Sequence, residues 1–129
     1  MTATTPYRIG YQREGETLRA HVTGVNGTLE TTLAYWRDMA GELQRAPARA
    51  LLVVDDMEGD PPPPEQLAQF VQAMRGLGFE AMRVAYVEAH VAQIPELELA
   101  EILARESGFD ARVFGNEMDA RIWLRHGGD

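Results

Sequence analysis

The sequence predicts an α/β fold: a single domain with about five strands in a mixed sheet, an N-terminal antiparallel hairpin followed by parallel strands, and four helices. Three observations carry this prediction. Apolar and polar residues alternate on both sides of a short turn around Gly15, the run Ala50-Leu51-Leu52-Val53-Val54 is apolar without a break, and helical stripes separate the later strand patterns. Alternation marks a strand with one buried face, and a continuous apolar run marks one buried on both faces. Strands that alternate with helices pair in parallel through crossovers.

In chain order, Tyr7, Ile9 and Tyr11 alternate with Arg8, Gly10 and Gln12, and beyond Glu14-Gly15-Glu16 the alternation resumes with Leu18, Ala20 and Val22 against Arg19, His21 and Thr23. This is a hairpin pattern, and Gly24 to Gly27 is expected to break its second strand. From Thr28 as N-cap, Leu29, Leu33, Trp36, Ala40 and Leu43 form the stripe of an amphipathic helix ending before Pro47. Tyr35 and Met39 flank that stripe and widen its apolar arc, which suits a partner helix or a dimer contact.

The buried strand runs into Asp55-Asp56-Met57-Glu58-Gly59-Asp60 and four prolines, Pro61 to Pro64. The proline run stiffens this loop, and Pro64 fits the first position of a helix carrying Leu67, Phe70, Val71 and Met74 and ended by Gly76 and Gly78. Met82, Val84 and Tyr86 alternate with Arg83, Ala85 and Val87 in a strand leading to Glu88-Ala89-His90. Pro95 opens a third helix with Leu99, Ile102 and Leu103 inward, Glu101 and Arg105 as an exposed pair, and Gly108 as C-cap. Ala111 to Phe114 form the last strand. Asn116 then caps a final helix with Asp119 three residues on, its inner face is Ala120, Trp123 and Leu124, and Gly127-Gly128 stops it.

At 129 residues the chain is expected to be one domain over 1–129, with 1–6 as a flexible N-terminus, and large enough to hold a core without cross-links. It has no cysteine, which excludes disulfides and thiol chemistry and fits a reducing compartment. No leader pattern opens it and no stretch is long and apolar enough for a membrane span, so a cytoplasmic location is expected. The net charge of -8 disfavours nucleic acid and anionic lipid as partners. All twelve basic residues are Arg, a bias that fits a GC-rich genome; the absence of lysine excludes Schiff-base chemistry and a P-loop lysine. The single serine, Ser107, has no neighbouring histidine with which to form a hydrolytic triad.

The closing stretch Arg112-Val113-Phe114-Gly115-Asn116-Glu117-Met118-Asp119-Ala120-Arg121-Ile122-Trp123-Leu124 resembles the carboxyl-terminal signature of the SpoIIAA-like proteins, relatives of the STAS domains. Trp36 on the first helix and the apolar strand ending in Asp55 agree with that pattern, over roughly residues 7–125. The resemblance implies a bacterial protein with a superhelix of βα units, shared with STAS and lipid-binding CRAL-TRIO domains. Anti-sigma-factor antagonists of the STAS class carry a phosphorylatable Ser or Thr after the equivalent strand. Here Asp55 to Pro64 contains neither, so the phospho-switch does not carry over.

Strand ends are expected to gather Asn26, Asp55, Asp56, Glu58, Asp60, Glu88, His90 and Asn116 along one edge of the sheet, where ligands of open α/β sheets bind. Asp55, Asp56, Glu58, Asp60, Glu88 and His90, with Tyr35 and Trp36, are the candidate ligand- or partner-binding residues; no catalytic residue, metal ligand or cofactor is assigned. The reading that follows is a non-enzymatic SpoIIAA/STAS-like interaction or regulatory module, binding a protein partner or itself as a homodimer. The alternative is a binder of a small apolar, lipid-like ligand, in a pocket lined by Tyr35, Trp36, Met39, Phe70, Met74 and Phe79. A third reading is a divalent-metal enzyme built on Asp55, Asp56 and Glu88. His90, two residues from Glu88, is also a candidate base oriented by a carboxylate; His21 reads as a sheet-surface residue and His126 as a helix-end cation.

Overall fold

The computed structural model describes residues 6–26, 28–60, 62–90 and 94–126, with Glu96 described by its backbone alone. Its elements are β1 (Tyr7–Glu14), β2 (Thr17–Val25), α1 (Leu29–Arg45), β3 (Ala50–Glu58), α2 (Pro64–Ala73), a short 3-10 helix (Phe79–Ala81), β4 (Arg83–Glu88), α3 (Ile94–Glu106), β5 (Asp110–Phe114) and α4 (Glu117–His126). The strands form one five-stranded sheet in the order β1-β2-β3-β4-β5, with β1 antiparallel to β2 and the remaining pairs parallel. The expected fold class is therefore the observed one.

Local chemistry accounts for the element ends. Gly15, with φ 62, takes the first central position of the two-residue hairpin turn, where a left-handed conformation suits the twist of the strands. Thr28 caps α1 by accepting the Thr31 N–H at 3.1 Å. Asn116 accepts the Asp119 N–H at 2.9 Å, while its amide donates to the Asp119 carboxylate at 3.1 Å. Pro64 opens α2 in the position where a missing N–H removes no bond.

A strand order that never reverses, with the usual right-handed crossovers, places successive helices on one face of the sheet. On that face Leu18, Ala20, Val22, Leu51, Val53, Met57 and Val84 pack against Tyr35, Trp36, Met39 and Leu43 of α1 and Val71 of α2. The opposite face holds a smaller core of Leu52, Val54, Ala85 and Val87 under Ala120 and Trp123 of α4. Arg19 on β2 makes two bonds to the Glu117 carboxylate at 3.0 and 3.1 Å, and Arg121 does the same to Glu14 at 3.1 and 3.0 Å. These pairs tie α4 back to the hairpin.

Several expectations are corrected. β2 runs through Gly24 to Val25, because Gly24, at φ 129, lets Pro6 and Tyr7 pass against it in a space where a side chain would collide. The acidic segment after Val54 is strand, not loop, as far as Glu58. Tyr35 and Met39 are the centre of the α1 stripe, exposed by 1% and 0%, so they offer no spare width for a partner. In α3 Leu103 packs against the core as expected, but the buried position is Leu97, and Ile102 is 54% exposed. Glu101 does not pair with Arg105: it accepts the backbone N–H of Val113 at 2.7 Å, anchoring α3 to β5. The expected flexible N-terminus, apart from Pro6, and the Gly127-Gly128 stop lie outside the described residues. So do Gly27 and Pro61. No helix among the described residues is long and apolar enough to cross a membrane.

Candidate functional site

Side chains alternate along a strand, so Leu51, Val53, Asp55 and Met57 share the helix-covered face of β3 while Val54, Asp56 and Glu58 point the other way. On β4 the same rule puts Val84, Tyr86 and Glu88 on the helix-covered face. The parallel register pairs Val53 with Tyr86 and Asp55 with Glu88. Two carboxyls thus stand side by side on neighbouring strands, at the ends where α1, α2 and α3 cover the sheet.

Beneath those helices lies a cavity of 110 Å³. α2 leans on α1 and α3 more than on any strand, which leaves room between it and the sheet. The walls are apolar: Trp36 and Phe79 meet edge to face at 5.4 Å, Trp36 stacks on Tyr86 at 6.0 Å, and Phe70, Val71, Met74 and Leu97 line it further. Pro62, buried in the same wall, carries the chain from β3 across to α2. On α3, Leu97, Ala100, Glu101 and Ala104 line it at the spacing of one helix face.

The polar end of the cavity is a hydrogen-bonded cluster. Asp55, 5% exposed, accepts the Met57 N–H on Oδ1 at 2.9 Å and the Tyr86 hydroxyl on Oδ2. Tyr86 also shares a hydrogen bond with the fully buried Tyr35. Glu88, 2% exposed, accepts the backbone N–H of His90 on Oε1 at 2.9 Å, and the His90 ring lies 3.1 Å from that same oxygen. Thr32 donates to Asn26 Oδ1 at 3.2 Å, joining the N-terminal turn of α1 to the end of β2. Desolvation by burial pushes the Asp55 and Glu88 carboxyls above the usual carboxylate range, and burial pushes both tyrosines up as well.

The candidate residues therefore divide. Asp55, Glu88, Tyr35 and Trp36 line the cavity, with Asn26, and His90 touches it through Glu88. Asp56 lies on the opposite face, 3.4 Å from His21, and Glu58 and Asp60 are exposed. Asn116 serves as the α4 cap. Of the six side chains expected to line an apolar pocket, five do; Met39 is packed into the core instead. No group of three or more His, Asp or Glu side chains among the described residues could hold a metal ion, so the gathering of Asp55, Asp56 and Glu88 that a metal centre requires is not formed. Tyr86 and Glu101 are cavity residues that the sequence reading passed over. For Tyr86 the signal is there, because a period of two links it to Glu88. For Glu101 it is not, because its partner is a backbone group on another element.

The fold and cavity define an α/β protein with an apolar pocket ended by two buried carboxyls. Compared with known protein families and with curated proteins, the sequence matches none.

Proposed function

We propose that this protein binds a compact apolar small molecule between its sheet and α1 to α3. The observation that supports this reading is the 110 Å³ cavity, with aromatic, Met and aliphatic walls and all of its buried polar groups at one end. Pockets of this composition hold ligands by apolar contact and orient them by a few polar groups. The volume is of the order of the cavity, about 150 Å³, that admits benzene in an engineered core, so it suits a short or single-ring apolar body. Native mass spectrometry of gently purified protein tests the reading: a small adduct that activation in the gas phase removes supports it, and a bare chain from every preparation counts against it.

A second reading, the interaction module implied by the resemblance, draws on another surface. Met118 and Ile122 lie one turn apart on α4, 72% and 48% exposed, in the stretch that carries the resemblance. Light scattering over a wide concentration range tests self-association there, with Met118→Glu as the variant that should abolish it.

A further inference from the structure

Resting on the small-molecule reading, we infer that the ligand carries a basic amine, and that Glu88 receives it. The two hydrogen bonds accepted by Glu88 both fall on Oε1; Oε2 accepts none among the described residues. A side chain that is 97% buried thus lines the cavity with both of its bonds among the described residues on one oxygen. Apolar walls supply no donor there, and an acceptor desolvated without a donor is unfavourable.

The charges around the cavity select the sign of the head group. Asp55, Glu88 and Glu101 are all wall residues. Arg112 also borders the cavity, but its guanidinium lies 5.8 Å over the Phe114 ring, which packs with the opposite core. The His90 ring is already on Glu88 Oε1 and its side chain is 43% exposed. A carboxylate or phosphate head would add an anion beside three carboxyls in a low-dielectric space. An ammonium supplies three donors, one for Glu88 Oε2, and opposes the charge of the pair.

Calorimetric titration of the whole chain at neutral pH with hexylamine, hexanol and hexanoate tests this, because the three share one apolar body. The expected result is binding of hexylamine about tenfold or more tighter than hexanol, the scale of a hydrogen bond to a charged group, with hexanoate weakest. Glu88→Gln should bring hexylamine to within about twofold of hexanol and leave hexanol unchanged, whereas Glu58→Gln, which removes the same charge from the other sheet face, should keep the preference. Hexanol binding as tightly as hexylamine overturns the amine inference and leaves the apolar pocket standing; a preference that survives Glu88→Gln overturns the role of Glu88. Binding of none of the three overturns both the pocket and the amine. If Glu88→Gln does not fold, the wild-type series decides alone.

Discussion

Asp55 on β3 and Glu88 on β4 are register partners in a parallel pair, and both are buried residues that line the cavity. Each is held by a backbone N–H two residues along its own chain, Met57 for Asp55 and His90 for Glu88. The same local bond is made twice on adjacent strands, which fixes both carboxyls at one end of the apolar space.

The pair makes stability depend on pH in a definite sense. Burial raises both carboxyls in the folded chain, so between the ordinary carboxyl values near 4 and their raised values the folded state holds more protons than the unfolded one. Their contribution is present at acid pH and declines as pH rises through that window. Glu117, lowered first by its bond from Arg19, acts oppositely and loses its contribution as pH falls. Urea unfolding of Glu88→Gln should show a shallower decline with rising pH than wild type, and equal or higher stability at neutral pH. A steeper decline contradicts the assignment.

Removing the Tyr86 hydroxyl with Tyr86→Phe leaves Asp55 Oδ2 without its donor. At neutral pH this should lower stability by about 1–3 kcal/mol, the usual penalty for a buried polar group left unpaired. That bond is also among the influences that lower the Asp55 carboxyl, so the variant should raise it further, as carboxyl NMR titration will report. The deficit should shrink toward acid pH, where the neutral acid is easier to bury.

Trp36 meets Phe70, Phe79 and Tyr86 at ring separations of 5.6, 5.4 and 6.0 Å. Trp36→Ala removes all three contacts and enlarges the cavity, and should lower stability by about 3–5 kcal/mol. Trp36→Phe should recover part of that loss. Thermal melts compare them.

The end of β3 passes so close to Asn26 that a Cβ on Gly59 would meet the Asn26 carbonyl oxygen at 2.0 Å, at φ 102. At Gly24 it would meet the Pro6 carbonyl oxygen at 2.2 Å, at φ 129. Gly59→Ala and Gly24→Ala should each lower stability by at least the 1–3 kcal/mol or so of a strained backbone. Gly10→Ala, with open space around its Cβ, should stay within about 0.5 kcal/mol of wild type. Equal effects at all three positions in denaturant unfolding would contradict the packing described.

The element order was legible because periodicity and caps agree at each step: Thr28, Pro64, Gly108 and Asn116 sit at helix ends as their chemistry predicts. The cavity was half legible. Five of its aromatic and Met wall residues stand out in the sequence, but the acidic run after Val54 looks like one solvated loop. Only the continued alternation of β3 separates buried Asp55 from exposed Asp56 and Glu58. Register between strands is a tertiary property, and no local pattern pairs Asp55 with Glu88. The inner face of α3 was legible at Leu103, which packs against the core, but not at Leu97 and Ile102, for a related reason. Its apolar residues surround the helix, so the burial of Leu97 and the exposure of Ile102 are decided by where α2 and β5 lie.

Binding of an apolar body in the cavity is the central claim. Methyl-labelled protein titrated with hexanol and followed by NMR addresses this directly. The predicted result is saturable shifts at Leu67, Val71, Val84 and Leu97, which line the cavity, with Leu52, Val54 and Val87 of the opposite core unmoved. Shifts centred on the opposite core, or no saturable shift up to the solubility limit, would contradict it.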